Sequence, residues 1–260
     1  EYLFEISRLL RKKKEYFAER MSEEMGKVLK EARGDVQEAI DVFEYMGGEG
    51  RRLFGYTTPS ELKHKAAYTL RRPIGVVGTI TPWNFPMAIP AWKIAPALVC
   101  GNTMVFKPSS DTPRCAMDLV EVIEEAGVPA GVVNMVTGDA QQVGSEIVTN
   151  LKIRGISFTG SKETGKWIMQ HAGIKKIGLE LGGKNAIIVM DDADIALAAE
   201  GIIWGAFGTT GQRCTAASRV IAHEKIVKEL EQTLVEKTKK LKLGDGRIKG
   251  TDVGPLINEK

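Results

Sequence analysis

Between Ile74 and Met190 the chain changes its hydrophobic period again and again, and this alternation constrains the fold more than any other feature. The runs at 74–80, 103–106, 132–136, 156–158, 176–181 and 186–190 are short and mostly apolar, as buried strands are. The runs at 88–99, 111–127, 143–148 and 162–171 carry helical spacing, the second opening at Asp111-Thr-Pro113 with proline in the first turn. Strands separated by helices of this length predict βαβ units and a parallel sheet, so the fold class is α/β. Such sheets take ligands at the carboxyl ends of their strands.

The flanks differ. Residues 2–30 read as one helix, with Leu3, Ile6, Leu10, Phe17, Met21, Met25 and Leu29 mostly three or four apart and charges between them. Gly34 reads as a break, after which Val36, Ile40, Phe43 and Met46 begin a second amphipathic helix that stops by Gly47-Gly48. Residues 55–73 alternate loosely, like an extended arm that pairs as an edge or reaches another subunit. Beyond 190, a helix at 193–207, a strand at 219–222 and a helix at 224–241 are expected.

Charge and composition exclude several functions. The 36 basic and 33 acidic residues leave a net charge of +3, which gives nucleic-acid binding no electrostatic support. Cys100, Cys115 and Cys214 are odd in number and lack CxxC spacing, which argues for a reducing, cytoplasmic setting. His64, His171 and His223 are isolated, so no metal site is expected. No apolar run reaches membrane-spanning length. The chain opens at Glu1 without Met and closes just after a Gly-Pro turn, so both ends read as cuts through a longer protein.

Five stretches carry candidate chemistry. Cys214, in Gly208-Thr-Thr-Gly-Gln-Arg-Cys-Thr215, sits in a polar loop beside Arg213, a setting that favours the thiolate. The plainer reading of a cysteine is a small buried hydrophobe. Phe158-Thr-Gly-Ser-Lys-Glu-Thr-Gly165 joins a strand to a helix whose free N–H groups suit a phosphate. It falls short of a Walker A loop because Trp167 stands where Ser or Thr is needed, and it is not GxGxxG. In Thr81-Pro-Trp-Asn-Phe-Pro86 two prolines fix Asn84 at a strand end, where its amide could donate to a developing oxyanion. Lys107-Pro-Ser-Ser110 offers a cation and two hydroxyls to a ribose or phosphate. Glu180 closes an otherwise apolar strand, where partial desolvation would suit a general base. Each stretch also has a structural reading as a turn, a solvated loop or an ion pair.

Taken together, Pro82-Trp-Asn-Phe-Pro86, Lys107-Pro-Ser109, Phe158-Thr-Gly-Ser161 with Gly165, Glu180-Leu-Gly-Gly-Lys184 and Gly211-Gln-Arg-Cys214 resemble the aldehyde dehydrogenase superfamily in order and spacing. The resemblance runs through essentially the whole chain and covers the first half to two-thirds of a typical member. It implies a Rossmann-like cofactor domain at 1–54 and 74–181, an oligomerisation arm at 55–73, and part of a catalytic domain at 182–260. It makes Cys214 the nucleophile, Asn84 the oxyanion donor together with the Cys214 N–H, and Glu180 the base that activates water. Trp83, Lys107, Ser109, Ser110, Gly160, Ser161, Gly165 and Leu181 become cofactor positions. A second family glutamate, in a downstream Glu-xx-Phe-Gly-Pro motif, lies beyond Lys260.

The resemblance implies oxidation of an aldehyde to the acid with NADP or NAD, through a thiohemiacetal and a thioester. Ser110 stands where many NAD-preferring members carry glutamate; serine beside Lys107 would accept a 2′-phosphate, so NADP is the expected cofactor. A semialdehyde such as succinate semialdehyde is the expected small-molecule substrate, with Arg213 a candidate partner for its carboxylate. A homodimer or homotetramer is the expected assembly. Two alternatives stay open: transfer of the acyl group to coenzyme A or phosphate, and a non-catalytic nucleotide-binding fragment of this fold.

Overall fold

The structure is a computed structural model that describes residues 1–259. Its centre is a five-stranded sheet, all parallel. The strands are β3 (Val76–Ile80), β4 (Thr103–Lys107), β5 (Val133–Met135), β6 (Ile153–Gly160) and β7 (Lys176–Leu181), in the order β5-β4-β3-β6-β7. The first strand in sequence is therefore central, with its successors fanning out on both sides, which is the doubly wound order. Between β3 and β6 the winding reverses, and there the helices leave a crevice at the carboxyl ends. Ile80 is level with Lys107 on one side and Phe158 on the other, so the loops after β3, β4 and β6 open at the same height.

Both faces of the sheet are covered. Val77, Met104 and Phe106 meet α4 (Ala88–Val99) and α5 (Pro113–Glu125), and beneath these lie α1 (Tyr2–Lys12), α2 (Lys14–Met25) and α3 (Leu29–Glu49). On the other face Ile156 and Phe158 pack with α6 (Ser145–Thr149) and α7 (Lys162–His171). The N-terminal helices also cap later elements. Both carboxylate oxygens of Glu24 accept from the Arg114 and Cys115 N–H groups at the start of α5, and Asp35 Oδ1 accepts from the Ala88 N–H that opens α4. A carboxylate at a helix N-terminus satisfies orphan donors and complements the helix dipole.

The single helix expected at 2–30 is two, divided at Lys13, and the main break is Gly26 rather than Gly34. Gly26 has φ +84, a left-handed value that ends α2, whereas Gly34 lies inside α3. Glycine in a helix interior costs only about 1 kcal/mol, and the buried face of Ala32, Val36, Ala39, Ile40 and Phe43 outweighs it. Residues 55–73 contain an antiparallel hairpin of β1 (Thr57–Pro59) and β2 (Ala66–Tyr68). Phe54, Tyr56, Tyr68 and Leu70 beside it are all more than 60% exposed.

The last third forms its own small layer. β8 (Asn185–Val189) and β9 (Ala217–Ala222) pair in parallel, and α8 (Ile195–Phe207) and α9 (Val227–Thr238) cover one face through Ala199, Ile202 and Leu230. Residues beyond α9 return to the N-terminal helices: Gly246 O accepts from Leu29 N–H, and a Cβ on Gly254 would lie 1.9 Å from Gly26 O. Among the described residues no helix is long and apolar enough to cross a membrane, and no three His, Cys, Asp or Glu side chains gather as a metal site.

Candidate active site

At the switch point of the sheet a cleft of about 430 Å³ opens, lined by Ile80, Lys107, Gln141, Glu163, Trp167 and Ile168 among others. Lys107 ends β4 with 6% of its surface exposed; burial lowers its pKa from the usual lysine value, partly offset by Asp139. The only hydrogen bond of its Nζ among the described residues is to Pro108 O at 3.3 Å, so the ammonium is held at the cleft with donors to spare. Helix α7 begins at the same end. Ser161 Oγ accepts from Thr164 N–H at 3.1 Å, and among the described residues no carboxylate from another element caps this helix, unlike α4 and α5. A Cβ on Gly165 would sit 2.7 Å from the Leu181 side chain, so glycine lets α7 lie against β7. A buried cation, a helix start capped by a neutral serine and a close helix–strand contact fit the phosphates and ribose of a dinucleotide. Ser109 and Ser110 lie on the next loop and do not line this cleft; Ser109 Oγ accepts from Asp111 N–H at 3.2 Å, and Ser110 is exposed. Trp83 is half-buried against the N-terminal core.

Cys214 follows a strained turn. Thr209 and Thr210 have φ of 51 and 58, and Gly211 has 73, three left-handed residues in succession. Such backbone costs on the order of 1–3 kcal/mol per non-glycine residue and persists only when neighbours fix it. They do: Glu31 accepts the Thr209 N–H with both oxygens at 2.9 Å, Thr210 Oγ1 donates to Gly254 O at 3.0 Å, and Gln212 Oε1 accepts from Ile257 N–H at 3.1 Å. The Cys214 side of the loop is exposed, and Cys214 O accepts from Asn185 Nδ2 at 2.7 Å. Arg213, expected beside the thiol, turns back instead. Its guanidinium donates to Trp204 O and lies 4.8 Å from the Trp204 ring centroid, in space that a Cβ on Gly208 would occupy.

Asn84 reaches this loop across 128 residues: its Nδ2 donates to Gln212 O at 2.8 Å, two residues before the thiol. The expected oxyanion donor and the expected nucleophile are thus brought to one place. Glu180 is exposed rather than desolvated, because β7 is the edge strand and its face bearing Lys176, Gly178 and Glu180 is left open. Near it stands Lys93, on the otherwise apolar helix α4. Its Nζ donates to Ser157 Oγ at 3.1 Å, and burial lowers its pKa to about 8 against a smaller opposing pull from Glu180.

The family model described as the aldehyde dehydrogenase family matches residues 1–260. The chain belongs to this family. It is 43% identical over 261 residues to the alpha-ketoglutaric semialdehyde dehydrogenase of Bacillus subtilis (strain 168), covering 100% of this chain and 54% of the relative. It is 44% identical over 242 residues to the succinate-semialdehyde dehydrogenase (NADP(+)) of Escherichia coli (strain K12), covering 92% and 50%. The crystal structure of the betaine aldehyde dehydrogenase of Staphylococcus aureus in complex with NAD+ superposes with a TM-score of 0.97 at 36% identity, covering 99% of this chain and 52% of that one. The chain therefore spans about half the length of the curated relatives it matches.

Three residues around the site escape a reading by motif: Lys27, Asp35 and Lys93. Lys93 had a signal, as the sole charge in Ala-Ile-Pro-Ala-Trp-Lys-Ile-Ala-Pro. Lys27 and Asp35 had none, since both fall among the charges between apolar helix positions.

Proposed function

We propose that this aldehyde dehydrogenase chain carries the dinucleotide cleft and the thiol of an enzyme that oxidises a semialdehyde to its acid. The observation that carries the reading is the Asn84 Nδ2 bond to Gln212 O at 2.8 Å, which ties the loop after β3 to the nucleophile loop. Cys214 attacks the aldehyde carbon, and the oxygen takes up negative charge as the C–S bond forms. Asn84 Nδ2 and the Cys214 N–H are the donors that meet this charge. Lys107 and the start of α7 would hold the dinucleotide, which when bound supplies the hydride acceptor. Glu180 takes a proton from the water that attacks the resulting thioester, and the acid leaves Cys214 free. An open edge strand supports that last role, because water reaches Glu180 directly.

The semialdehyde assignment rests on the two relatives whose names carry it. For the cofactor, one relative's name includes NADP(+) and one neighbour binds NAD+. Serine at 110 and the buried Lys107 favour NADP here. The division into a cofactor domain (1–54 and 74–181), an arm (55–73) and part of a catalytic domain (182–260) accords with the separate sheets. The exposed aromatic residues of the arm fit assembly into a homodimer or homotetramer in a cytoplasmic setting. The test is rapid-mixing with NADP+ or NAD+ and succinate semialdehyde. Glu180→Gln is expected to keep the first burst of reduced cofactor and stop later turnover. Turnover equal to the unsubstituted chain would remove Glu180 from the role of base.

A further inference from the structure

One short segment, from Lys27 just before α3 to Asp35 within it, touches both sides of the proposed reaction centre. Lys27 Nζ donates to Asp35 Oδ2 at 2.9 Å and to the main-chain O of Asn84 at 2.8 Å, and it lies 4.1 Å from the centroid of the Phe85 ring. The second oxygen of Asp35 takes the Ala88 N–H at 2.7 Å. The side chains of Lys27 and Asp35 have no exposed surface. Four residues before Asp35, on the same face of α3, Glu31 grips the Thr209 N–H of the nucleophile loop.

A fully buried ion pair contributes little net stability, because desolvating both charges offsets their attraction. Among the described residues the side-chain hydrogen bonds this pair makes beyond itself both go to residues 84–88. Asn84 needs such a hold. Among the described residues its buried Oδ1 has no partner, and its carboxamide is anchored only through Nδ2.

We infer that Lys27 is a positioning residue for the oxyanion donor: with Asp35 it fixes the main chain of Asn84, while Glu31 fixes the thiol loop from the same helix. Segment 27–35 thereby sets the placement of Asn84 relative to Cys214. The inference rests on the acyl chemistry proposed above for Cys214.

Two reactions at one sulfur separate positioning from general folding, and neither needs a dinucleotide. With 4-nitrophenyl acetate the Cys214 thiolate bonds to the acyl carbon, an oxyanion forms, and 4-nitrophenolate leaves. With iodoacetamide the same thiolate displaces iodide and no oxyanion forms. Both are measured on the full chain carrying Cys100→Ser, since Cys100 is exposed; Cys115 stays silent because it is buried and burial pushes its thiol up.

Lys27→Met with Asp35→Asn removes both charges together and keeps an acceptor for the Ala88 N–H. The expected result is a loss of acylation of about 10- to 100-fold, the scale of a misplacement near 1 Å, with alkylation within about twofold of the parent. Glu31→Ala, at a half-buried site, lowers the same ratio without threatening the core. Val36→Ala, a packing change in α3, leaves the ratio alone. A ratio equal to the parent in Glu31→Ala and in the paired variant, while Asn84→Ala lowers it, overturns the inference and leaves the proposed function standing. If Asn84→Ala also leaves the ratio unchanged, Asn84 is no oxyanion donor and both readings fall.

Discussion

Replacing Lys93 by methionine should stabilise the fold at neutral pH and destabilise it at high pH. Lys93 is half-buried on α4, and its pKa is lowered to about 8 from an ordinary 10.5, chiefly by burial. The unfolded chain therefore binds more protons than the folded one between pH 8 and 10.5, so stability rises with pH through that window. Below pH 8 the folded state bears the full cost of the charge, about 3 kcal/mol for a shift of this size. Above pH 10.5 that cost is gone. Methionine removes it at every pH but also removes the Ser157 hydrogen bond, a loss of about 1 kcal/mol. The variant should be more stable by about 2 kcal/mol at pH 7 and less stable by about 1 kcal/mol near pH 11. Urea unfolding of both proteins between pH 6 and 11, followed by tryptophan fluorescence, gives the two curves. The curves should cross. A constant offset across this range would show that Lys93 is not desolvated in the native state.

Other outcomes can be read from close contacts. Gly254→Ala places a Cβ 1.9 Å from the Gly26 carbonyl oxygen, a rigid neighbour, and should lower stability by at least 1–3 kcal/mol in thermal denaturation. Gly165→Val drives a side chain into Leu181, 2.7 Å from the site of the new Cβ; fluorescence titration with NADPH should show binding weakened about tenfold or more, with an equal affinity refuting the need for close α7–β7 contact. Phe54→Ser with Tyr68→Ser removes two exposed aromatic rings of the arm, and sedimentation should show a smaller assembly than the parent at equal concentration.

How much the sequence discloses varies along the chain. Helices α4 and α7 and strand β7 have the bounds that the residue pattern predicts, because proline, glycine or a capping serine borders each apolar run. Cys214, its loop and Asn84 are legible as motifs, and the fold ties Asn84 to that loop by one hydrogen bond, to Gln212 O. What surrounds them is not. Periodicity sorts Lys27 and Asp35 onto the polar side of their helices because it counts charges without their partners. Only the tertiary contact with residues 84–88 places both inside. Arg213 fails for the converse reason: its neighbour in sequence is Cys214, but its neighbours in space are Gly208 and Trp204. The exposure of Glu180 follows from strand order, since no local pattern reveals that β7 lies at an edge.

The bond between Glu31 and the Thr209 N–H joins residues 178 apart. At about 5–20 residues synthesised per second, an N-terminal Glu31 waits roughly 10–35 s on the ribosome before its partner exists. The Cys214 loop and its brace thus meet only after the α1–α5 core has had its chance to close. Reactivity of Cys214 toward an acylating reagent is therefore a clock for this long-range closure, and a stalled nascent protein ending before Thr209 would contain the α1–α5 scaffold while lacking Cys214 itself.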